Sequence, residues 1–118
     1  MNYFGYPCYN YNNYLNNNAF TRAGSYILRA RNQAGYAIWA KAYWEIPGQG
    51  WEDRSSGSFS SPWHTDFFVP PEARNVNLEI YMLGGGMVCK RTWQNGINKD
   101  ITIDAIGTTT TANCTYAT

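Results

Sequence analysis

The chain offers few side chains for catalysis, with one histidine and eight carboxylates. His64 lies two residues before Asp66, so on a β-strand both side chains point to the same side and can form a hydrogen-bonded pair. A serine-histidine-aspartate triad also needs a serine on a sharp nucleophile turn, and no serine has that context. The carboxylates are scattered, and no two of them stand out as a glycosidase pair. We interpret His64 and Asp66 as a surface pair on a strand, and we predict that the protein is not an enzyme.

The segment GGGMVCKRTW, residues 84–93, has the glycines of a phosphate-binding loop but not its chemistry. In such a loop a lysine and a hydroxyl residue follow the last glycine directly. Here Met87 and Val88 follow Gly86, so a phosphate site is not predicted.

Three cysteines, Cys8, Cys89 and Cys114, show no CxxC spacing, so we predict no metal site and no cofactor. An odd number of cysteines allows one disulfide with a free thiol, or three reduced thiols. We expect reduced thiols, because the N-terminal residues lack the basic start and apolar core of a signal peptide. The same feature favours a cytoplasmic location or export by a non-classical route.

The composition favours one small domain with an unusually neutral surface. Hydrophobic residues make up 44% of the 118 residues and charged residues only 14%, so Asn, Ser, Thr and Tyr must cover much of the surface. A net charge of +1 gives no basic footprint, so we predict no nucleic-acid partner. No stretch approaches the 18 or so apolar residues that a transmembrane helix requires.

Four segments alternate apolar and polar residues with a period of two, which is typical of half-buried strands. They are residues 25–32, 36–45, 75–82 and 100–106, and turn-forming sequences such as IPGQG and VPPEA separate them. No segment carries a helical period. The sequence therefore predicts an all-β fold, a two-sheet antiparallel β-sandwich, with VPPEA as the rigid crossover between the sheets.

The N-terminal residues differ in composition from the rest. Residues 1–21 contain no charge and are rich in tyrosine and asparagine. We expect residues 1–23 to form an Asn/Tyr-rich arm, half-ordered by its aromatic side chains, and residues 24–118 to form the sandwich. By adding to the edge of a sheet, the arm offers a means of forming a homodimer.

Tyrosine and tryptophan make up 15 of the 118 residues. Sugars present C–H faces that stack on aromatic rings and hydroxyl groups that need amide or carboxylate partners, and exposed aromatic residues among polar ones meet both needs. Most of these rings are expected to fill the core, with a smaller exposed cluster available for binding.

In order along the chain, four stretches resemble the C-terminal, membrane-recognising domain of the cholesterol-dependent (thiol-activated) cytolysins. They are NQAGYAIWAKAYWEI, WEDRSSGSFSSPWHT, FFVPPEARNVNLEI and DITIDAIGTTTT. Each match alone is short, and their order and spacing over about ninety residues carry the resemblance. The resemblance implies a β-sandwich whose loops at one end meet a target surface. Only this domain is represented, so a stand-alone domain is expected.

Two departures from the family pattern bear on function. In that family the loop after the Arg-Asn strand is an eleven-residue, tryptophan-rich segment with one cysteine that enters the bilayer. In this chain MLGGGMVCKRTW takes its place, and its only tryptophan is Trp93 at the edge. Cys89 does not fall at the family's cysteine position. The family's sterol-reading Thr-Leu pair is replaced by threonines after Gly107. Losing a buried leucine-sized group removes roughly 2 kcal/mol of apolar stabilisation, and Lys90 and Arg91 resist insertion. We interpret the segment as a former membrane loop that has become polar.

We predict a non-enzymatic carbohydrate-binding protein, a small lectin that recognises cell-surface glycans or glycoconjugates through its end loops. The expected ligand-binding residues, which the resemblance places together at one end, are Tyr36, Trp51, Asp53, Arg54, Lys90, Arg91, Thr108 and Thr109. The alternative is a sterol- or lipid-binding membrane module related to the cytolysins, anchored by Met87, Val88 and Trp93. A plain interaction domain is a third hypothesis. The particular sugar or lipid, the oligomeric state and the cysteine pairing are open at this point.

Overall fold

The computed structural model describes residues 24–117, which form eight β-strands. The predicted arm, residues 1–23, lies outside the described residues. The strands are β1 (Tyr26–Asn32), β2 (Ile38–Ile46), β3 (Gly50–Ser55), β4 (His64–Val69), β5 (Arg74–Met82), β6 (Met87–Trp93), β7 (Ile101–Ile106) and β8 (Asn113–Tyr116). Within residues 24–117 the structure contains no helix of the length and hydrophobicity needed to cross a membrane.

The strands form two four-stranded sheets. The first sheet has the order β4-β1-β7-β8 and the second the order β3-β2-β5-β6. All neighbouring strands are antiparallel except β1 and β7, which run parallel. The predicted all-β sandwich of two sheets is therefore confirmed, with one parallel pair as the exception to its antiparallel character.

The core lies between the two inner sheet faces. Its largest fully buried side chains include Leu28, Ile38, Trp44, Leu78 and Ile103. These belong to the faces predicted from the period of two, and strand β2 alternates buried and half-buried positions along its whole length. The alternation thus places one face of each central strand in the core and leaves the other free for function.

Cys89 and Cys114 form a disulfide between β6 and β8, with a Cα–Cα distance of 6.1 Å. The expectation of reduced thiols is therefore wrong for these two residues. The pairing follows from the topology, because β6 and β8 are the edge strands on the same side of the sandwich. The disulfide closes that side by joining the two sheets covalently. Cys8 lies outside the described residues.

Candidate functional site

Strand pairing gathers four connections at one end of the sandwich, which we call the loop end. Ile38, at the start of β2, pairs with Met82, at the end of β5. The connections at this end are residues 33–37, 56–63, 83–86 and 107–112. Backbone hydrogen bonds join them to each other or to a neighbouring strand end: Gly35 N donates to Gly107 O at 3.0 Å, Leu83 N to Ala37 O at 2.9 Å and Asn32 N to Trp63 O at 2.9 Å. The loop end is therefore a connected surface.

The glycine-rich stretch is a tight turn at the loop end. Met82 N donates to Gly86 O and Gly85 N donates to Met82 O, and Gly84 adopts a φ of 72°. Leu83, the first residue of the turn, and Met87, the residue directly after it, have 56% and 49% of their surfaces exposed. The interpretation of GGGMVCKRTW as a polar loop is therefore wrong in its extent, because residues 87–93 are strand β6 and only residues 83–86 form the turn. The residues that project there are apolar.

The threonine-rich loop, residues 107–112, is held by its own hydroxyl groups. Thr108 N donates to Thr111 Oγ1 at 3.1 Å, the two hydroxyls lie 2.8 Å apart, and Thr111 N donates to Thr108 O at 3.1 Å. Gly107 has a φ of 90°, and a Cβ at this position would lie 2.2 Å from Thr111 O. Only glycine fits this close approach, so the loop conformation is fixed by sequence.

The loop end carries no formal charge in its connections. The 23 residues of its four connections include no Asp, Glu, Lys, Arg or His. The three connections at the opposite end, residues 47–49, 70–73 and 94–100, include Glu72, Lys99 and Asp100. Trp63 is also at the loop end and is 67% exposed. The loop end thus combines exposed apolar side chains with neutral hydroxyl groups.

The eight predicted ligand-binding residues do not form one site, so their expected common position at the end of the sandwich is wrong. Thr108 and Thr109 are at the loop end. Tyr36 is there too, but it is buried, and its hydroxyl donates to Ile106 O at 2.8 Å; burial raises the pKa of this phenol. The other five are strand residues rather than loop residues. Trp51, Asp53 and Arg54 lie on β3, and Lys90 and Arg91 lie on β6.

Two of the strand residues have structural contacts. Arg54 faces the inner side, where its guanidinium lies 5.7 Å from the ring centre of Trp44. Arg91 also faces inward, and it donates to Cys114 O at 3.2 Å across the sandwich. Both cations therefore cover the edges of the core. Trp93, a predicted membrane anchor, is half-buried at the end of β6 that is remote from the loop end.

The remaining three, Trp51, Asp53 and Lys90, lie on the outer face of the second sheet. Trp51, Asp53 and Glu79 contribute, with Lys41, Tyr43 and Glu52, to an open depression of 370 Å³. The ring centres of Tyr43 and Trp51 are 6.2 Å apart. We call this feature the outer-face depression.

Glu79 organises the centre of this face. Its carboxylate accepts hydrogen bonds of 2.6 Å from the hydroxyls of Tyr43 and Tyr81 and lies 3.9 Å from Lys90 Nζ. Burial alone would raise the pKa of Glu79, but the two tyrosine hydrogen bonds and the charges of Lys90 and Lys41 outweigh burial and hold the pKa below its usual value. The same hydrogen bonds raise the pKa values of Tyr43 and Tyr81. Both phenols therefore stay protonated as donors.

The outer face of the first sheet is held by ion pairs. Arg29 binds Asp66 with two hydrogen bonds of 2.7 and 3.0 Å, and Arg31 binds Asp104 with two of 2.7 and 2.9 Å. His64 and Asp66 both lie on β4, with Nε2 3.9 Å from Oδ1, so the surface pair is confirmed. Because Arg29 already occupies the Asp66 carboxylate, the pair is part of a structural network. Within residues 24–117 no group of three His, Cys, Asp or Glu residues is placed to hold a metal ion.

The two sheets define a β-sandwich of the kind found in the membrane-recognising domain of the cholesterol-dependent cytolysins, and the resemblance predicted from sequence is confirmed as a likeness of fold. The isolated membrane-binding domain of pneumolysin matches with a TM-score of 0.60 and 15% identity, over 80% of this chain and 96% of that one. Suilysin from Streptococcus suis matches with a TM-score of 0.60 and 18% identity, over 80% of this chain. Listeriolysin O matches with a TM-score of 0.58 and 16% identity, over 79% of this chain.

This chain corresponds to 23% of suilysin and 22% of listeriolysin O, so it spans less than a quarter of each toxin. The sequence matches no protein-family profile and no curated protein. The similar structures are toxins and a toxin's membrane-binding domain rather than enzymes.

Proposed function

We propose that the protein is a membrane-binding module that docks on a lipid surface through its loop end. The observation that carries the proposal is the uncharged loop end with its exposed Leu83, Met87 and Trp63. Moving a charged side chain into a bilayer is costly, whereas aromatic and aliphatic residues favour the interface. The likeness to the membrane-binding domain of pneumolysin supports the same function. The proposal matches the alternative hypothesis from sequence and replaces two of its anchors, because Leu83 and Trp63 take the places of Val88 and Trp93.

The binding should be shallow and reversible. Leu83 and Met87 are about half exposed, so burying the remainder contributes about 1 kcal/mol each, and Trp63 adds an interfacial anchor. A single acyl chain, which buries more apolar area, gives only reversible membrane binding. The protein should therefore partition onto vesicles and wash off on dilution.

The test is flotation with vesicles of phosphatidylcholine, with and without cholesterol. The wild-type protein should float with at least one of them, and the double variant L83D/M87D should bind about tenfold less, because an added charge at each anchor opposes burial. The control Q49D/N95D places the same two charges at exposed positions of the opposite end and should bind normally. Flotation with neither vesicle, or equal loss in both variants, would refute the loop end as the contact surface. Binding only with cholesterol would identify a sterol as the target.

We do not propose that the eight predicted residues form one carbohydrate-binding site, because they lie in different parts of the sandwich. The similarity to the cytolysin structures gives no support for carbohydrate binding. Homodimer formation remains a prediction that light scattering in solution can test.

The Cys89–Cys114 disulfide leads us to propose that the protein acts in an oxidising compartment, since such bonds are rare in the reducing cytosol. Thiol labelling of protein from its natural source should find these two cysteines blocked.

A further inference from the structure

The outer face of the second sheet carries four aromatic side chains that face away from the core. Trp39 stacks on Tyr81, with ring centres 4.4 Å apart and planes 9° from parallel, and Tyr43 contacts Trp51. We call these four residues the aromatic strip. The outer face of the first sheet carries arginine-carboxylate pairs instead. The contrast singles out the second sheet, because a solvated sheet face is ordinarily polar.

The aromatic strip is held in place without a ligand. Glu79 is only 9% exposed and uses both carboxylate oxygens to bind the hydroxyls of Tyr43 and Tyr81. These short bonds to an ionised group fix the two rings, and stacking fixes Trp39 against Tyr81. A surface whose side chains are already ordered loses less conformational entropy when it binds. Glu79 therefore holds the aromatic side chains at the base of the outer-face depression in fixed orientations.

Three groups around the outer-face depression have polar atoms or ring faces that residues 24–117 leave available for binding. Trp51 is 58% exposed, and its one aromatic ring pair among the described residues is with Tyr43, whose ring centre is 6.2 Å away. The carboxylate of Asp53, two positions along β3 on the same side, makes no hydrogen bond or ion pair within residues 24–117. The amine of Lys41 lies over the Tyr43 ring at 5.5 Å and has no hydrogen-bond partner in that part of the chain. The depression thus presents an aromatic face, an acceptor and a donor.

The charges around the depression balance, which indicates a neutral ligand. Lys41 and Lys90 offset Asp53 and Glu79, while Glu52 lies 4.0 Å from Arg54. A cationic ligand would compete with two lysines, because Lys41 and Lys90 already lie 5.5 and 5.9 Å from the centre of the Tyr43 ring. An anionic ligand would be repelled by the carboxylate of Asp53, which pairs with no cation within residues 24–117.

We propose that the outer-face depression binds a neutral saccharide. A pyranose ring stacks its C–H face on Trp51, while Asp53 accepts hydrogen bonds from its hydroxyls and Lys41 donates to its oxygens. The ligand class agrees with the prediction from composition, but the site is on a sheet face, away from the loop end, and contains only Trp51 and Asp53 of the predicted residues. Because the depression is open and has one stacking ring, a single sugar binds weakly, and several copies on one surface bind more tightly.

The test begins with a broad array of neutral glycans, probed with protein multimerised on a scaffold. The best oligosaccharide is then titrated by NMR against the wild type and three variants. W51A should weaken binding about tenfold or more, because it removes the stacking face. D53N should weaken binding by a smaller factor, about threefold or more, because it keeps the shape and removes the charged acceptor. W63A is the matched control, since it removes a similarly exposed tryptophan at the loop end and should bind the sugar normally.

The same variants separate this proposal from membrane binding. W51A should float with vesicles normally, whereas W63A should float less. A blank array, or sugar binding that W51A leaves unchanged, would overturn the saccharide site whatever the vesicles show. Binding of choline chloride that W51A abolishes would also overturn it, in favour of a cation site.

Discussion

Removing the Cys89–Cys114 disulfide should destabilise the fold by several kcal/mol. The bond closes a loop with a sequence separation of 25 residues. The entropy that such a link removes from the unfolded chain corresponds to about 3.5 kcal/mol at 25 °C. A domain of this size is stable by roughly 5–14 kcal/mol, so the bond supplies a large share of the total. Because it joins the two sheets next to residues 83–86 and 107–112, its loss should also loosen the loop end.

The assay is urea unfolding followed by tryptophan fluorescence, with the variant C89A/C114A compared with its parent in a C8S background. With a slope of about 1.5 kcal/mol per molar urea, the midpoint should fall by about 2 M. A reducing agent should shift the parent by a similar amount and leave the double variant unchanged. A shift below about 0.5 M, or an equal effect of reductant on both proteins, would refute the cross-link as a source of stability.

Three further outcomes follow from single positions. Gly84 and Gly96 both have positive φ, but a Cβ at Gly96 would lie 2.2 Å from Ala73 O, whereas no atom lies within 4 Å of a Cβ at Gly84. In thermal unfolding, G84A should therefore lose about 1 kcal/mol of stability and G96A clearly more. The pKa of Glu79 is lowered in the folded state, so its contribution to stability is present above the pKa of the unfolded chain and is lost as the pH falls through the folded pKa. The variant E79Q should therefore make the unfolding free energy less dependent on pH in the acid range. An unchanged pH profile of the unfolding free energy would contradict this. Asn32 is fully buried, donates to Tyr36 O and Phe59 O, and accepts from Ala34 N. The variant N32A should therefore lose about 2–4 kcal/mol of stability in urea unfolding and bind vesicles less. An unchanged unfolding free energy would show that residues 33–37 and 56–63 keep their conformation without Asn32.

The central strands could be predicted from sequence because each has one face in the core. In strands β1, β2, β5 and β7 successive side chains point alternately to the core and to the outer face. This alternation gives the sequence its period of two in apolar and polar residues. Edge strands β3 and β6 lack the signal. In β3, Glu52 and Arg54 occupy inward positions, and in β6 Arg91 does. Inward-pointing charges are a recognised feature of edge strands, where they discourage pairing with another chain. Segments with that composition resemble loops when the sequence is considered alone.

The candidate sites depend on contacts between strands, which the sequence does not record. Residues Tyr43 and Glu79 are separated by 36 positions, yet they share a hydrogen bond because β2 and β5 are neighbours. The uncharged loop end is likewise assembled from four separate connections. Each is short and neutral in the sequence, but only the topology shows that all four lie at the same end. The composition predicted a small exposed cluster of aromatic residues, and the aromatic strip is such a cluster.

The two proposed surfaces are spaced so that both can act on one membrane. Along β2, Ile38 is at the loop end and Glu45 pairs with Trp51, and these seven steps span about 23 Å. With the loop end on the lipid and β2 upright, Trp51 is held at about that height. A glycolipid with one sugar stays below Trp51, whereas an oligosaccharide headgroup of several sugars reaches it. Simultaneous binding then makes the second contact intramolecular.

This geometry predicts a dependence on headgroup length. Vesicles that carry the recognised oligosaccharide on a long headgroup should bind the wild type more than about tenfold tighter than plain vesicles. The same terminal sugar attached directly to lipid should give no gain. W51A should lose the gain and keep the basal binding, because it removes the sugar contact alone. An equal gain from the short glycolipid would show that the sheet face lies against the membrane, and the upright orientation would be wrong.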